Sequence, residues 1–434
     1  MTHKVLNNVF IYIIERVVTI ISGLLCFVMI AREFGPADLG ALSTIQSASA
    51  ALMFMVTLGL DRFIVKDLVE GKVSSKSIEY TATVLRFLGW SIYSIGLFLF
   101  IWHWSDNPQY MFLAGIESIT AFFIHVIIVR YSLESKHKAK ELSISLIISR
   151  GISLTYVFLA IIFKADLLIT CLFLPIQSAI RLLLMVYFYN LNDKPIGKFT
   201  FNRDWARNNI KQAFPIMLSG AIFPVFMQAD VLMISHYLDE AHVGLYSAPM
   251  KLIFQSSFIG VAIMSAIYPL LVYRNKNSES DFTNTAITVG RAMILLSITS
   301  SLILFFTSKY IIIIMFGSDY QESIDVMKIL SIIVAIVIPS KLFSSVLIIK
   351  GLSKYELPKS IFAVLLNITL NSILIPLYSI EGAAISSVIA YIFSDLIFYF
   401  LFKKLSVVRY VIIKSIRGLS SPILTIKNLL GSKF

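Results

Sequence analysis

Apolar stretches of about twenty residues recur twelve times along this chain, separated by short polar segments. A bilayer core about 30 Å thick takes roughly 20 apolar residues of helix, so each stretch is long enough to cross. The spans read as 9–30, 39–60, 80–102, 110–131, 142–163 and 167–189, then 213–236, 243–272, 286–306, 324–349, 359–378 and 382–402. The eighth is the longest, which predicts tilt or an interfacial end. With 57% of its residues apolar, a soluble domain of 434 residues could not keep this surface from water. The expected fold is all-α: a polytopic membrane protein of about twelve transmembrane helices.

Charge changes the picture by giving it a direction. Most Lys and Arg fall in the N-terminus, in loops 61–79, 132–141, 190–212, 274–285 and 350–358, and in the tail. The alternate loops 31–38, 103–109, 164–166, 237–242, 307–323 and 379–381 hold few. The basic set is therefore expected on the cytoplasmic side, with both termini inside. The net charge of +12 reflects this topology, and no nucleic-acid partner is expected. The outer loops are too short to hold a catalytic domain. Span 9–30 is too long for a cleaved signal and lacks a small-residue cleavage site, so it reads as a retained helix. In the tail, Val407, Val408, Val411, Ile412 and Ile413 interleave with Arg409, Lys414 and Arg417. That segment either lies along the anionic inner leaflet or forms a loosely ordered, solvated tail.

The chain reads as a duplicated unit. Ala37-Asp38-Leu39-Gly40-Ala41-Leu42-Ser43 joins spans one and two, and Ala241-His242-Val243-Gly244-Leu245-Tyr246-Ser247 joins spans seven and eight. Ala, Gly and Ser match in register. Six spans per half is an even number, so the halves run in the same direction, as parallel repeats with a site between them do. The expected division is a six-helix lobe at 1–189, a cytoplasmic linker at 190–212 with Pro195 and Gly197 as its join, a second six-helix lobe at 213–402 and a basic cytoplasmic tail at 403–434.

Charges inside spans are costly and mark pathways. Arg16, Arg86, Arg150, Arg181, Arg291 and Lys341 lie on six spans, all toward the cytoplasmic ends. Their expected role is a cationic layer lining a cavity for an anionic cargo, since Arg presents a planar fork that matches phosphate oxygens. The competing reading is snorkelling to the headgroups. It is preferred for Arg86 and Arg291, while Arg16, Arg150 and Arg181 are assigned to the cavity. Nearer the outer face lie Glu117, Asp230 and Lys251. Asp230 and Lys251 are expected to form a structural ion pair. The sharper alternative makes Glu117 or Asp230 a proton or sodium site that couples transport to an ion gradient. Asp395 is placed to neutralise a nearby cation. Asn367 and Asn371 share a helix face at i, i+4 and are expected to hydrogen-bond between helices, with sugar binding as the alternative. Pro175, Pro215, Pro224, Pro269, Pro339 and Pro376 are expected kink positions, and Trp90, Trp102 and Trp104 suit interfacial belts.

No catalytic constellation is legible. There is no phosphate-cradling glycine loop ending in Lys-Ser or Lys-Thr, and the six histidines show no metal-ligand spacing. Cys26 and Cys171 fall inside spans and read as small core residues. The expectation is a non-enzyme with no cofactor and no metal.

Four segments resemble the polysaccharide-export branch of the multidrug/oligosaccharidyl-lipid/polysaccharide (MOP) transporter superfamily, most of all the O-antigen flippases of Wzx type. They are Ile30-Ala31-Arg32-Glu33-Phe34-Gly35-Pro36-Ala37-Asp38-Leu39-Gly40 with Ser43; Ala213-Phe214-Pro215 through Gln228-Ala229-Asp230 to Val243-Gly244-Leu245-Tyr246-Ser247-Ala248; Phe316-Gly317-Ser318-Asp319-Tyr320 leading to Lys328-Ile329-Leu330; and Leu366-Asn367, Leu370-Asn371 and Ile375-Pro376-Leu377-Tyr378 to Gly382-Ala383-Ala384. The resemblance implies two parallel six-helix lobes around a central cavity. It implies a cargo of oligosaccharide on undecaprenyl diphosphate, moved from the cytoplasmic to the periplasmic leaflet of a bacterial inner membrane. Membrane lipids, the O-antigen polymerase and the chain-length machinery are the implied partners. A capsule or teichuronic-type glycan is the alternative cargo. A cation-coupled drug exporter fits less well, because Arg rather than acid dominates the spans. A glycosyltransferase or polymerase would need a larger outer loop, and the charged spans speak against an inert scaffold.

Overall fold

A computed structural model describes residues 2–71, 73–192 and 199–417, and all regular structure in them is helical. Helix α1 (Thr2–Leu52) carries spans one and two across a break at Gly35, where φ is 77° and ψ is −178°. Only glycine adopts that conformation readily, and Pro36 then lacks the N–H that would continue the helix. Helices α2 (Phe54–Thr57) and α3 (Asp61–Glu70) follow, then α4 (Ser75–Trp104) as span three. Span four is not one helix. It runs through α5 (Pro108–Ala121), a π-helical turn at Phe122–Val126 and the short α6 (Val129–Ser135). Span five is α7 (Ala139–Ile162), and span six is α8 (Leu167–Cys171) with α9 (Phe173–Asn192). Span seven, α10 (Arg203–Tyr237), starts ten residues before the expected boundary at 213. Residues 193–198, which hold Pro195 and Gly197, lie outside the described residues.

The expected long eighth span is two helices, α11 (Glu240–Ser256) and α12 (Phe258–Asn277), meeting at Ser257. The Ser256 and Ser257 hydroxyls donate to the carbonyls of Ile253 and Phe254 at 2.6 and 2.7 Å. Such local bonds compete with the helical ladder and bend it. Helices α13 (Glu279–Phe316) and α14 (Ser323–Ile349) are spans nine and ten. Helix α15 (Glu356–Ile392) carries span eleven and, past a break at Tyr378 and Ser379, the start of span twelve. A second π turn (Phe393–Ile397) and α16 (Phe398–Leu401) complete it.

Ten segments of the described residues are long and apolar enough to cross a membrane. Two of them, Ile14–Glu70 and Ser353–Leu401, contain the breaks at Gly35 and Ser379. At 57 and 49 residues each is far longer than one crossing needs. Each supplies two spans, which accounts for all twelve. Large apolar side chains such as Leu99, Phe158 and Phe306 project outward along these segments, as lipid-facing surfaces require. Helix starts carry the expected oxygen caps: Asn107, Asp166, Asp239 and Ser278 accept from the backbone of Gln109, Ile169, His242 and Asp281. Partial burial works to raise the Asp239 carboxyl, but hydrogen bonds from the His242 backbone and ring outweigh it and hold Asp239 below the usual range.

The chain forms two compact units, Met1–Gln228 and Ala229–Phe434, divided inside α10. The start of α10 belongs to the first unit for a visible reason. Trp205, Ala206 and Ala213 are buried in a cluster with Leu60, Ile64 and Ile78. Trp205 Nε1 and Asn209 Nδ2 both donate to Asp67 of α3, at 2.7 and 3.2 Å. At Gly59, with φ of 66°, any side chain would meet the Ala213 carbonyl oxygen at 2.9 Å.

Arg86 departs from expectation. It does not snorkel: it is fully buried on α4 and pairs with Asp61 of α3. Its guanidinium also donates to the His125 carbonyl of the π turn at 2.9 Å and to Tyr131 Oη at 3.1 Å. Tyr131 in turn donates to Asp61 at 2.8 Å. In the second unit α14 is central, packing against α11, α12, α13 and α15. The described part of the tail packs on protein, which neither reading of it expected. Helix α17 (Ser406–Arg417) buries Val408, Val411, Ile412 and Ser415 against α13 and α14, so its apolar face is spent on protein. Residues 418–434 lie outside the described residues.

Arg86 is fully buried while Asp61 is about half exposed, so loss of Asp61 strands the buried guanidinium, at about 3–5 kcal/mol, whereas loss of Arg86 leaves a carboxylate that water reaches. Asp61→Ala is therefore expected to lose most folded protein, and Asp61→Asn to lose less, because the amide oxygen still accepts from the guanidinium. Fluorescence-detected size exclusion of tagged variants reads this out. A normal monodisperse yield for Asp61→Ala would show that the network is not needed for folding.

Candidate functional site

The second unit holds a carboxylate with neutral company. Asp230 of α10 is 3% exposed. Its Oδ2 accepts from Tyr246 of α11 at 2.5 Å and from the Ser387 hydroxyl of α15. Its Oδ1 accepts from Asn367 Nδ2 at 2.9 Å and Asn371 Nδ2 at 2.8 Å, both also on α15. The i, i+4 spacing of the two asparagines sets both amides against one oxygen, and the break at Ser379 lets Ser387 approach from the returning helix. Asn371 Oδ1 is buried and has no hydrogen-bond donor. The four named donors carry no charge, so the cluster retains the negative charge of Asp230 whenever that group is ionised. These four neutral groups are the described partners of Asp230, and Lys251, expected as its ion-pair partner, is not one of them. The carboxylate is met by two amide N–H groups and two hydroxyls, and Asn371 Oδ1 adds one buried oxygen with no donor, so carboxylate and hydroxyl oxygens with that amide oxygen are the hard donors a proton or a small cation would use.

The first unit holds a second buried acid. Glu117 of α5 is 9% exposed, hydrogen-bonds the side chain of Gln46 and leaves Oε1 without a partner. Tyr93 stands near it and hydrogen-bonds Ser49 at 2.7 Å. Among the described residues no three His, Cys, Asp or Glu gather as a metal group, and Cys26 and Cys171 are buried free thiols.

The expected cations fall into distinct settings. Arg150 of α7 and Arg181 of α9 come together, within electrostatic reach of each other and, for Arg181, of Glu15 and Arg130. Both are partly buried, and the Nε of each is buried without a hydrogen-bond partner. Glu15 takes the Ser143 hydroxyl of α7, tying α1 to that pair. Arg16, one residue on, is exposed. Arg86 is committed to Asp61, as described above, which sets it apart from a ligand-binding layer. In the second unit Arg291 and Lys341 are both partly buried. The Nε of Arg291 lacks a partner, and Lys341 lies against Gly260, its Cγ 3.1 Å from where a β-carbon there would sit.

Sequence reasoning placed Asp230, Asn367 and Asn371 but not their convergence, and it missed Tyr246 and Ser387 as hydrogen-bond donors to Asp230. Tyr246 was visible only as part of the repeated helix start. It also missed Lys359, 7% exposed, which pairs with Glu356 at 2.9 Å and Asp395 at 3.6 Å. The Glu356–Lys359 spacing was the available signal, and Asp395 does neutralise a cation there. Trp90 also differs from an interfacial belt residue, since its Nε1 donates to the Ser118 carbonyl at 2.8 Å and ties α4 to α5.

Known proteins match this arrangement at three levels. The family model described as polysaccharide biosynthesis protein matches residues 5–274. The capsular polysaccharide biosynthesis protein CapF of Staphylococcus aureus is 21% identical over 403 residues, spanning 90% of this chain and 98% of that protein. Agl15 of Haloferax volcanii, a probable low-salt glycan biosynthesis flippase, is 26% identical over 170 residues, covering 37% of this chain and 34% of that one. Among solved structures, the lipid II flippase MurJ in an inward closed conformation matches with a TM-score of 0.71 at 16% identity, over 99% of this chain and 94% of that one. An inward-facing multidrug resistance MATE family transporter of the MOP superfamily matches at 0.72 and 12% identity, over 91% and 96%. At these identities the structures show a common fold, the polytopic two-lobe fold of that superfamily. The model match covers more than half of the chain, and on that ground this multi-pass membrane protein belongs to the polysaccharide biosynthesis protein family.

Proposed function

We propose that this chain is a flippase that carries an undecaprenyl-diphosphate-linked oligosaccharide from the cytoplasmic to the periplasmic leaflet of the inner membrane by alternating access. The family match over residues 5–274 carries the reading. The sequence resemblance names an O-antigen repeat unit as cargo. A capsular repeat unit is the second reading, favoured by the 403-residue match to CapF. The loop charges support placing both termini inside. On this reading the protein performs no covalent chemistry, and it works alongside a polymerase and chain-length machinery that act on the delivered unit. Arg150 and Arg181 hold the diphosphate: they stand together and their Nε donors are unspent. Arg16, Arg291 and Lys341 add positive potential along the entry route. Asp230 takes the coupling ion, a proton or sodium, and the unsatisfied Asn371 Oδ1 supports that role because a bound cation would use it. Glu117 is the alternative coupling site.

Deleting the gene in a strain without a second flippase is expected to abolish surface polymer and to leave the lipid-linked oligosaccharide on the cytoplasmic leaflet. Complementation with Arg150→Ala or Arg181→Ala should restore no more than about a tenth of the export, given about 1.5–3 kcal/mol for a charge-assisted contact. The Lys variants should restore more. Surface polymer is quantified against membrane-inserted protein. Normal polymer in the deletion strain contradicts the flippase reading; full export by both Ala variants contradicts only the role of the cations.

Asp230→Asn keeps the size of the side chain and removes its charge. Purified wild-type protein is expected to melt roughly 2–4 °C higher in sodium chloride than in choline chloride, or to show an equivalent shift with pH if the ion is a proton. The variant should show neither shift and should fail to complement. Identical melting of the wild type in both salts at every pH, with normal export by Asp230→Asn, would contradict the coupling role.

A further inference from the structure

A cavity of about 390 Å³ opens between α3 and α6, at the end of the first unit that carries the basic loops. Neither Arg150 nor Arg181 lines it, although Arg130 of its wall lies within electrostatic reach of Arg181. Arg62 and Lys66 of α3 line one wall, Arg130 and Glu134 of α6 the other, and Asp61 and Tyr131 the floor. The helix that bears the first wall is short, amphipathic and fixed. Ile64 on its inner face is fully buried, Asp67 receives Trp205, and Asp61 is held by Arg86 and Tyr131.

The charges in this cavity do not cancel. Asp61 is already committed to Arg86, so it contributes little net field. Arg62 has no ion-pair partner among the described residues. Lys66 reaches Glu70 only at 3.7 Å and Arg130 reaches Glu134 only at 4.0 Å, and all four side chains are a third or more exposed. Exposed i, i+4 pairs of that kind are worth little. Three cations therefore face one uncommitted carboxylate of the cavity wall, Glu134. Guanidinium groups on opposite walls, one from each helix, suit the oxygens of a phosphate between them. The neighbouring exposed apolar surface, Val69 of α3 at 61% exposure, suits the membrane boundary rather than bulk water.

We propose that this cavity binds the phosphate of a lipid headgroup at the membrane surface, outside the transport route. The shared chemistry is a phosphate on a lipid, whether an anionic phospholipid or a polyprenyl diphosphate. Tying such a headgroup between α3 and α6 would brace the helix that holds Asp61 against Arg86. The inference does not depend on which glycan is carried, or on whether one is.

Native mass spectrometry of the purified full chain tests it. Phosphatidylglycerol, undecaprenyl diphosphate, phosphatidylcholine and inorganic phosphate are each titrated. The expected result is tighter binding of at least one of the two anionic lipids than of phosphatidylcholine, and the tighter of the two identifies the source. Each of Arg62→Gln and Arg130→Gln should weaken that lipid about fivefold, the worth of one cation near an anionic headgroup. Arg62→Lys and Arg130→Lys should retain most of the binding. Lys403→Gln with Lys404→Gln, exposed basic residues in the other unit, should leave it unchanged. Equal loss in that control would reduce the effect to general charge and overturn the proposal. So would unchanged binding in the Arg62 and Arg130 variants, or displacement of the lipid by millimolar inorganic phosphate.

Discussion

A charge buried within a membrane protein has only its own chain to satisfy it. Water and lipid tails offer no partner at that depth, so an ionised group must find an opposite charge, a set of hydrogen bonds, or a ligand. Each unit of this protein is organised around such a group. In the first, Arg86 gathers α3, α4, the π turn and α6. In the second, Asp230 gathers α10, α11 and both arms of α15.

The two solutions differ in a way that separates structure from function. Arg86 meets Asp61 at once, and the pair is neutral without any visitor. It behaves as a clamp, and its nearby aromatic ring and backbone carbonyl complete its coordination. Asp230 meets four neutral donors, so hydrogen bonding tolerates its charge without cancelling it. Beside it, Asn371 Oδ1 is buried with no donor. A network left short by one positive charge and one donor has room for a proton or cation, which is why Asp230 carries the coupling role on the proposed reading. Arg150 and Arg181 present the complementary case, cations whose Nε donors are unspent. A diphosphate would satisfy both.

Much of the fold was legible because apolar length and loop charge are strong signals. The twelve spans came from length alone, and the break at Gly35 falls inside the loop expected at 31–38. What stayed hidden depended on contacts distant in sequence. Arg86 looked like a snorkelling residue by depth, since nothing local shows that Asp61, twenty-five residues earlier, returns to meet it. Asp230 suggested Lys251 as its partner because both lie toward the outer face. The actual partners Asn367, Asn371 and Ser387 are more than a hundred residues away. The division of span four by a π turn and of span eight at Ser257 was not legible, because the few polar residues there, His125 in one and Gln255-Ser256-Ser257 in the other, do not interrupt a long apolar stretch. The docking of α17 was concealed for the opposite reason: its basic residues resembled a surface tail while its valines were packing on α13.

The central claim is that this chain itself moves a lipid-linked oligosaccharide between leaflets. Reconstitution of the purified protein into liposomes that contain fluorescent undecaprenyl-diphosphate-linked oligosaccharide tests it directly. A membrane-impermeant lectin or quencher, added outside, reports the fraction exposed over time. The account predicts rapid exposure of the inner-leaflet pool in proteoliposomes, slow exposure in protein-free vesicles, and loss of the difference with Asp230→Asn. Equal rates with and without the wild-type protein, for both O-antigen-type and capsule-type repeat units and under imposed sodium and proton gradients, would contradict it.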